Sequence, residues 1–319
     1  MKAEDIPDQG GRTAVITGAT GGLGYETALA LAGANARVIV TGRNAAKGWD
    51  AVNRISAVHR RAHVRFEALD LASLASVEAF AAKVGSERRP VDMLINNAGV
   101  MALPVRKVTQ DGFEMQIGTN YLGHFALTAR LLPLLQRSAQ PRVVSLSSVA
   151  HRQGVIDLGD FQGTAYRPWK AYGQSKLAML MFAFELQRRS DAAGWGLMSN
   201  AAHPGWARTD LFTNGPRSNG WSWNWQRCVA ELAGPFFSQD AAAGALPTLY
   251  AATSPDARPA TLYGPDGLGE MKGAPAMARV ARRALNPSVA ADLWELSGEL
   301  TGVTFPVANR MARSPLAMA

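Results

Sequence analysis

The stretch TAVITGATGGLG, residues 13–24, decides the fold of this chain. Its first five residues form a short apolar run typical of a buried strand, and four of the remaining seven are glycines. Residues 25–33 then have helical character. Glycine lets the backbone approach a ligand closely, and a helix start presents free N–H groups and the positive end of a dipole. The stretch therefore predicts a strand, a phosphate-binding loop and a helix.

Further short apolar runs follow this unit, separated by segments long enough to be helices. We predict strands at 37–41, 64–68, 91–96, 142–146 and 198–203, and helices at 74–84, 116–135, 172–189 and 241–252. Parallel neighbouring strands need crossover connections of this kind, whereas hairpins would need only short turns. The sequence therefore predicts an α/β fold with a doubly wound, mostly parallel sheet of the Rossmann type.

The composition is that of a single globular domain. Hydrophobic residues make up 47% of the 319 residues, enough for a substantial core, and no linker is long enough to divide the chain. We predict one domain over residues 1–319, with its core at about 12–270 and a C-terminal extension at about 271–319. The extension contains one amphipathic helix, at 287–300.

The composition also excludes or disfavours several classes of protein. The single cysteine, Cys228, excludes an internal disulfide and a cysteine-based zinc cluster. The chain starts with polar residues and has no long apolar run, so we expect no transmembrane segment and a cytoplasmic location. The net charge of +8 comes from short, scattered basic clusters, which indicate a solvated surface rather than a nucleic-acid partner.

The end of the second predicted strand indicates which dinucleotide the loop would hold. Enzymes that bind NAD usually have an acidic residue about 20 residues after the loop, where it holds the ribose diol. Here the sequence is VTGRN, residues 40–44, with no acid; Arg43 stands near that place and Lys47 follows one helical turn later. Two cations would attract a 2′-phosphate, so we predict NADP(H).

Tyr172 and Lys176 form a candidate proton-transfer pair. They lie four residues apart in AYGQSKLAMLMF, residues 171–182, so both side chains project from one face of the predicted helix. A tyrosine has a pKa of about 10, and a nearby ammonium group lowers it by stabilising the phenolate. We therefore expect a lowered tyrosine pKa and proton exchange near neutrality. Because YxxxK also occurs by chance, the assignment depends on the other motifs.

Taken together, these motifs resemble those of the short-chain dehydrogenase/reductase family. The glycine loop behind Thr17 fits that family's TGxxxGxG pattern, and NNAG at 96–99 matches its signature after the fourth strand. The presence of Gly21 makes GxxGxxG fit equally well, as in the family's extended members, so the loop alone leaves both branches open. The resemblance covers residues 12–212 well and the tail loosely.

The resemblance implies a reaction, hydride transfer between a nicotinamide and a carbonyl or alcohol, and four catalytic residues. These are Asn120, Ser148, Tyr172 and Lys176, which occur in the family's order. In the reductive direction the tyrosine would donate the proton and the serine would orient the substrate oxygen. The lysine would hold the cofactor ribose, and the asparagine would hold a water that passes the proton to solvent. No metal is needed.

The resemblance also implies a set of cofactor-binding residues, to which the cations at the second strand are added. The set is Gly18, Thr20, Gly21, Gly22, Leu23, Gly24, Arg43, Lys47, Asp70, Leu71, Asn97, Ala98, Gly99, Tyr172, Lys176, Pro204, Gly205 and Thr209. The pair Asp70–Leu71 would border the adenine. The segment that follows the sixth strand would hold the nicotinamide carboxamide.

Two segments bear on the substrate. The segment between Ser148 and Tyr172 is long, and with SSVAH before it the region resembles the retinol dehydrogenase and protochlorophyllide reductase branch. We expect a structural role for His151 within it, because the tyrosine already has the role of base. The segment 210–240 is rich in aromatic residues, with NGWSWNW at 219–225; we predict a lid over a bulky apolar ketone, aldehyde or alcohol. A core or subunit contact is the alternative.

Two other functions stay open at this point, as does weak peripheral binding to a membrane surface. An extended-type epimerase or dehydratase acting on a sugar nucleotide shares the fold and YxxxK, but NNAG and Asn120 disfavour it. A non-catalytic NADP(H)-binding sensor usually lacks a catalytic residue, and none is missing here. The family resemblance also implies a homodimer or homotetramer paired through the helices after the fourth and fifth strands, unless the extra tail covers that surface and leaves a monomer.

Overall fold

The computed structural model describes residues 2–206 and 240–306 of the chain. Thr209, Cys228, the Trp-rich segment 219–225 and all of the predicted lid before Asp240 lie outside the described residues. The lid therefore stays a prediction.

An eight-stranded sheet forms the middle of the protein. Its strands are β1 (Thr13–Ile16), β2 (Arg37–Gly42), β3 (His63–Ala68), β4 (Met93–Asn96), β5 (Arg142–Leu146), β6 (Met198–Ala202), β7 (Leu262–Pro265) and β8 (Pro275–Met277). They lie in the order β3-β2-β1-β4-β5-β6-β7-β8, and β8 alone of these pairs antiparallel. The order runs outward on both sides of the β1–β4 pair, which confirms the doubly wound, mostly parallel sheet.

Helices cover both faces of the sheet. They are α1 (Gly22–Gly33), α2 (Ala45–Val58), α3 (Leu74–Ser86), α4 (Met115–Ile117), α5 (Gly123–Leu135), α6 (Pro168–Ala193), α7 (Ala241–Thr253) and α8 (Pro287–Thr301). The first face carries α1, α2 and α7, and the second carries α3, α5, α6 and α8. Within the described residues, no helix combines the length and apolar character needed to cross a membrane.

Three predicted elements differ from the observed ones at places that matter for the site. Helix α1 begins at Gly22, so the last glycines of the loop belong to its first turn. The predicted helix 116–135 is interrupted by a π-helical turn, Gly118–Leu122, between α4 and α5. Helix α6 is longer than predicted, because Pro168 starts it and Gly194, with a φ of 66°, ends it. The short strands β7 and β8 were not predicted.

The C-terminal helix belongs to the same core as the rest of the protein. The indole of Trp294 stacks on the Phe182 ring of α6 with ring centroids 5.7 Å apart, and it meets the Phe125 ring of α5 edge-on at 5.1 Å. The ring centroid of Phe305, just after α8, lies 4.4 Å from that of Trp294. Helix α8 therefore covers the outer side of α5 and α6, the helices through which pairing of subunits was predicted. The oligomeric state itself stays a prediction.

We predict that Phe125→Ala lowers the free energy of unfolding by about 3 kcal/mol or more, because it opens a cavity beneath the C-terminal helix. Phe125 is fully buried among aromatic rings. Urea unfolding followed by far-UV circular dichroism measures the change. Leu285→Ala is the control; that side chain is 60% exposed, so its loss should stay within about 0.5 kcal/mol. Equal losses of unfolding free energy in the two variants would contradict the conclusion that α8 shares a core with α5 and α6.

Candidate active site

A cleft of about 300 Å³ lies at the carboxyl ends of β1, β2 and β4. It brings together every predicted cofactor-binding residue that precedes residue 100 in the chain. These are Gly18, Thr20, Gly21, Gly22, Leu23, Gly24, Arg43, Lys47, Asp70, Leu71, Asn97, Ala98 and Gly99. Ligands of open α/β sheets bind at such a switch point, where the strand order reverses. The size and position of the cleft suit a dinucleotide phosphate backbone entering above the glycine loop.

The glycine loop and the NNAG segment pack directly against each other. Gly18 has a φ of 63°, and a Cβ atom there would lie 2.9 Å from the Cβ of Ala98. The Asn97 side chain donates hydrogen bonds from Nδ2 to the carbonyl oxygens of Thr17, at 2.7 Å, and Gly18, at 3.3 Å. A larger residue at 18 would therefore separate the two segments that form the floor of the cleft.

The hydroxyl of Thr17 joins three elements beneath that floor. Its oxygen accepts the backbone N–H groups of Asn97 at 2.8 Å and Ala98 at 2.9 Å, and it lies 2.8 Å from Nε2 of His124 on α5. The other nitrogen of His124, Nδ1, lies 2.8 Å from the carbonyl oxygen of Asn120. Because a carbonyl only accepts, Nδ1 carries the hydrogen and Nε2 accepts the Thr17 hydroxyl. Burial lowers the pKa of His124 to about 3, so the ring is neutral.

Asn120 lies in the π-helical turn, and its side chain connects two walls of the site. Oδ1 accepts the Val100 N–H at 2.7 Å, and Nδ2 donates to the Val100 carbonyl and the Ser175 hydroxyl, both at 2.9 Å. Val100 follows β4 and Ser175 lies on α6. The wide turn thus presents Asn120 to both elements, and the side chain fixes their separation.

The other three predicted catalytic residues meet near Gly99, which lines the cleft. Ser148 follows β5, and its side chain lies beside the Tyr172 hydroxyl, where it acts to lower the pKa of the tyrosine. The Lys176 ammonium group donates to the Leu146 carbonyl at 3.0 Å and lies 5.8 Å from the centre of the Tyr172 ring. A Cβ atom on Gly99 would lie 3.4 Å from Nζ of Lys176 and 3.2 Å from Oδ1 of Asn120. The structure therefore brings all four predicted residues together, directly beside the NNAG segment.

The pKa of Tyr172 shifts in the direction opposite to the predicted one. Burial raises it to about 12, although the hydrogen bond from Ser148 opposes the shift. Burial also lowers the pKa of Lys176 to about 8. The prediction of a lowered tyrosine pKa is wrong for the protein alone, because desolvation of the buried phenol is the largest influence on its pKa.

The turn after β6 is held in place by a cluster of hydrogen-bonded side chains that the sequence did not reveal. Gly205 has a φ of 64°, and a Cβ atom there would lie 2.3 Å from the Met271 carbonyl oxygen. Its N–H donates to Nδ1 of His203 at 3.2 Å, so Nε2 of that ring donates to the Glu270 carboxylate at 3.0 Å. Burial opposes ionisation of Glu270, but the bond from His203 and the charge of Arg152 outweigh it and lower its pKa to about 2. The predicted Pro204–Gly205 turn is thus fixed against the segment before β8.

His151 has the structural surroundings that we expected of it. It is fully buried, and its Nδ1 donates to the carbonyl oxygen of Ser148 at 2.7 Å. Its Nε2 faces the Ala281 N–H at 3.4 Å. The ring therefore supports the backbone of the serine rather than facing the cleft. In the described residues, no group of three His, Cys, Asp or Glu side chains is placed to hold a metal ion.

Sequence reasoning missed several residues that position the site. Thr17 and His124 had a local signal, because one adjoins the glycine loop and the other lies one helical turn after Asn120. Gln116, which is fully buried beside the site, had the same kind of signal. Glu270 had none, since it meets His203 from a position 67 residues further along the chain.

Comparison with known proteins gives one family. A model described as short chain dehydrogenase matches residues 12–219. Human retinol dehydrogenase 13 is 40% identical over 302 residues, which cover 93% of this chain and 86% of that protein. Mouse polyprenol dehydrogenase is 42% identical over 256 residues, which cover 79% of this chain and 74% of that protein.

Solved structures agree with these relatives. The crystal structure of an uncharacterized protein from Mycobacterium paratuberculosis is 42% identical and covers 96% of this chain and 99% of its own, with a TM-score of 0.79. An active-site complex of Pseudomonas aeruginosa RhlG with NADP is 26% identical and covers 79% of this chain and 94% of its own, with a TM-score of 0.61.

We predict that the wild-type protein gains about 2 kcal/mol of stability relative to Lys176→Met between pH 8 and pH 10. In this range the folded protein has released the Lys176 proton, since its pKa is about 8, while the unfolded chain still holds it. Stability therefore rises with pH, until the raised pKa of Tyr172 acts in the opposite direction above pH 10. Urea unfolding of both proteins across this range measures the difference between their free energies of unfolding. If that difference did not change with pH, the lowered pKa of Lys176 would be contradicted.

Proposed function

The chain belongs to the short-chain dehydrogenase family, and we propose that it is an NADP(H)-dependent oxidoreductase acting on a bulky apolar ketone, aldehyde or alcohol. One observation carries the proposal. The four predicted catalytic residues gather beside Gly99, which lines the same cleft as Arg43 and Lys47. A proton donor thereby lies next to a cleft that also carries the glycine loop and two cations.

The preference for NADP(H) follows from charge at the end of β2. Arg43 and Lys47 line the cleft, are exposed, and lie at the start of α2, where the helix dipole also favours an anion. The Asn44 side chain caps that helix by accepting the Lys47 N–H at 3.0 Å, which fixes the place of both cations. A 2′-phosphate would find two positive groups there and no carboxylate from residues 38–44. RhlG, a more distant relative, was solved with NADP.

In the reductive direction bound NADPH would supply hydride to the carbonyl carbon, and Tyr172 would give its proton to the carbonyl oxygen. Its raised pKa keeps it protonated at neutral pH, and this is the form that a proton donor needs. Ser148 orients and polarises the same oxygen, while His151 holds the serine backbone in place. Lys176 would hold the ribose hydroxyls of the cofactor, and its ammonium group adds positive charge beside the phenol. Asn120 fixes the distance between α6 and the segment after β4.

The apolar substrate class follows from the relatives and from the inner wall of the cleft. Retinol and polyprenol, named in two relatives, are both long apolar alcohols. Val100, Met101 and Leu103 line the cleft beyond the NNAG segment. We propose that this end receives the apolar part of the substrate. An epimerase of sugar nucleotides would need polar groups there to hold hydroxyls.

We predict that Arg43→Ala raises the Kd for NADPH by about tenfold, because it removes a charge-assisted contact to the 2′-phosphate. The Kd for NADH should stay nearly unchanged. Fluorescence titration with both cofactors measures this, and Arg60→Ala is the control, an exposed arginine that does not line the cleft. If wild type bound both cofactors equally, the NADP(H) preference would be wrong while the oxidoreductase proposal would stand.

We predict that Tyr172→Phe lowers kcat for carbonyl reduction by about a hundredfold or more, because the ring stays and only the proton donor is lost. The variant should still bind NADPH, which separates lost chemistry from lost folding. Tyr250→Phe is the matched control, since that ring packs on Tyr263 at the far side of the sheet. A wild-type protein that binds NADPH but turns over no carbonyl or alcohol would favour the sensor alternative.

A further inference from the structure

Trp169 is an exposed aromatic residue beside the proposed proton donor. It is the second residue of α6, and its side chain is 60% exposed. Its ring meets the Tyr172 ring edge-on, with centroids 6.0 Å apart and an interplanar angle of 83°. Since most of the indole faces solvent, its apolar surface is available to a bound molecule rather than used in the core.

Apolar side chains lie on another side of the same tyrosine. Met101 and Ala102, from the segment after β4, pack with Tyr172 in a small cluster of buried residues that Ala150 also contacts. Met101 also lines the cleft. Apolar side chains other than Trp169 therefore contact the same tyrosine.

The buried side chain of Gln116 holds these two walls at a fixed distance. Its Oε1 accepts the Ala102 N–H at 2.7 Å, and its Nε2 donates to the Pro168 carbonyl at 3.0 Å, one residue before Trp169. The Tyr166 hydroxyl, which also accepts from Gln116, donates to the Leu103 carbonyl at 2.6 Å. Four hydrogen bonds thus tie the segment after β4 to the start of the catalytic helix.

These hydrogen bonds also explain why the backbone of one residue is strained. Ala102 has a φ of 45°, a left-handed conformation that alanine rarely adopts. Such conformations persist only where the surroundings fix them, and here the bond to Gln116 does so. The bond keeps Met101 and Ala102 turned toward Tyr172.

We propose that Trp169 contacts the apolar part of the substrate and sets the preference of this chain for large apolar carbonyls and alcohols, with Gln116 positioning the wall from which it projects. This inference rests on the proposed function and adds a specificity-determining residue to it. An indole on a fixed helix turn gives a flat apolar surface for a hydrocarbon chain or ring. Its contribution grows with the apolar area that it covers, so small substrates gain little from it.

The test is kcat/KM for a series of aldehydes of rising alkyl length, each at saturating NADPH and again at saturating NADH. We expect Trp169→Ala to lower kcat/KM by about tenfold or more for the longest members and by less than about twofold for the shortest. The loss should lie in KM, because the contact is remote from the reacting atoms. Trp169→Phe should restore part of the preference.

Trp49→Ala is the matched control. Trp49 is 54% exposed and meets Phe66 edge-on at 5.9 Å, so it repeats the geometry of Trp169 away from the tyrosine. Its loss should leave the dependence on alkyl length unchanged. An equal loss at every length in Trp169→Ala, or no loss, would overturn the inference alone. A wild-type protein inactive on the whole series with both cofactors would overturn the proposed function and the inference together.

Discussion

The buried hydroxyl of Thr17 is the contact on which the rest of the site depends. It accepts two backbone N–H groups from the end of β4 and donates to a neutral histidine on α5. Through His124 it reaches the carbonyl of Asn120, whose side chain in turn holds α6. One hydroxyl thus sets the relative positions of the glycine loop, the NNAG segment and the catalytic helix. A buried polar network of this kind is rigid only because every member is paired.

A second histidine, His203, holds the turn after β6. The ring of His203 accepts from the turn after β6 and donates to Glu270, so its tautomer is fixed as firmly as that of His124. The hydrogen bond from His203 and the charge of Arg152 lower the pKa of Glu270 to about 2, so that carboxylate is charged at neutral pH. The glycine loop and the turn after β6 are therefore each held by a buried histidine whose two ring nitrogens are both hydrogen-bonded.

Much of the fold and of the candidate site could be predicted because three of the motifs lie at the carboxyl ends of strands. The glycine loop follows β1, NNAG follows β4 and Ser148 follows β5, and parallel strands bring their carboxyl ends to one edge. The π-helical turn at Asn120 could not be predicted, since one wider turn barely changes the periodicity of apolar residues. Nor could the Glu270–His203 pair, which no local pattern connects. The pKa of Tyr172 required the depth of burial, which a sequence does not contain.

The position of Trp294 has a consequence for the order in which the chain matures. Helix α6, with Tyr172 and Lys176, leaves the ribosome well before α8, and at roughly 5–20 residues per second on the order of ten seconds separate the two. During that interval the rings of Phe125 and Phe182 lack the indole that covers them in the finished protein. The aromatic cluster behind the catalytic helix is therefore complete only after the segment that carries Trp294 has been synthesised.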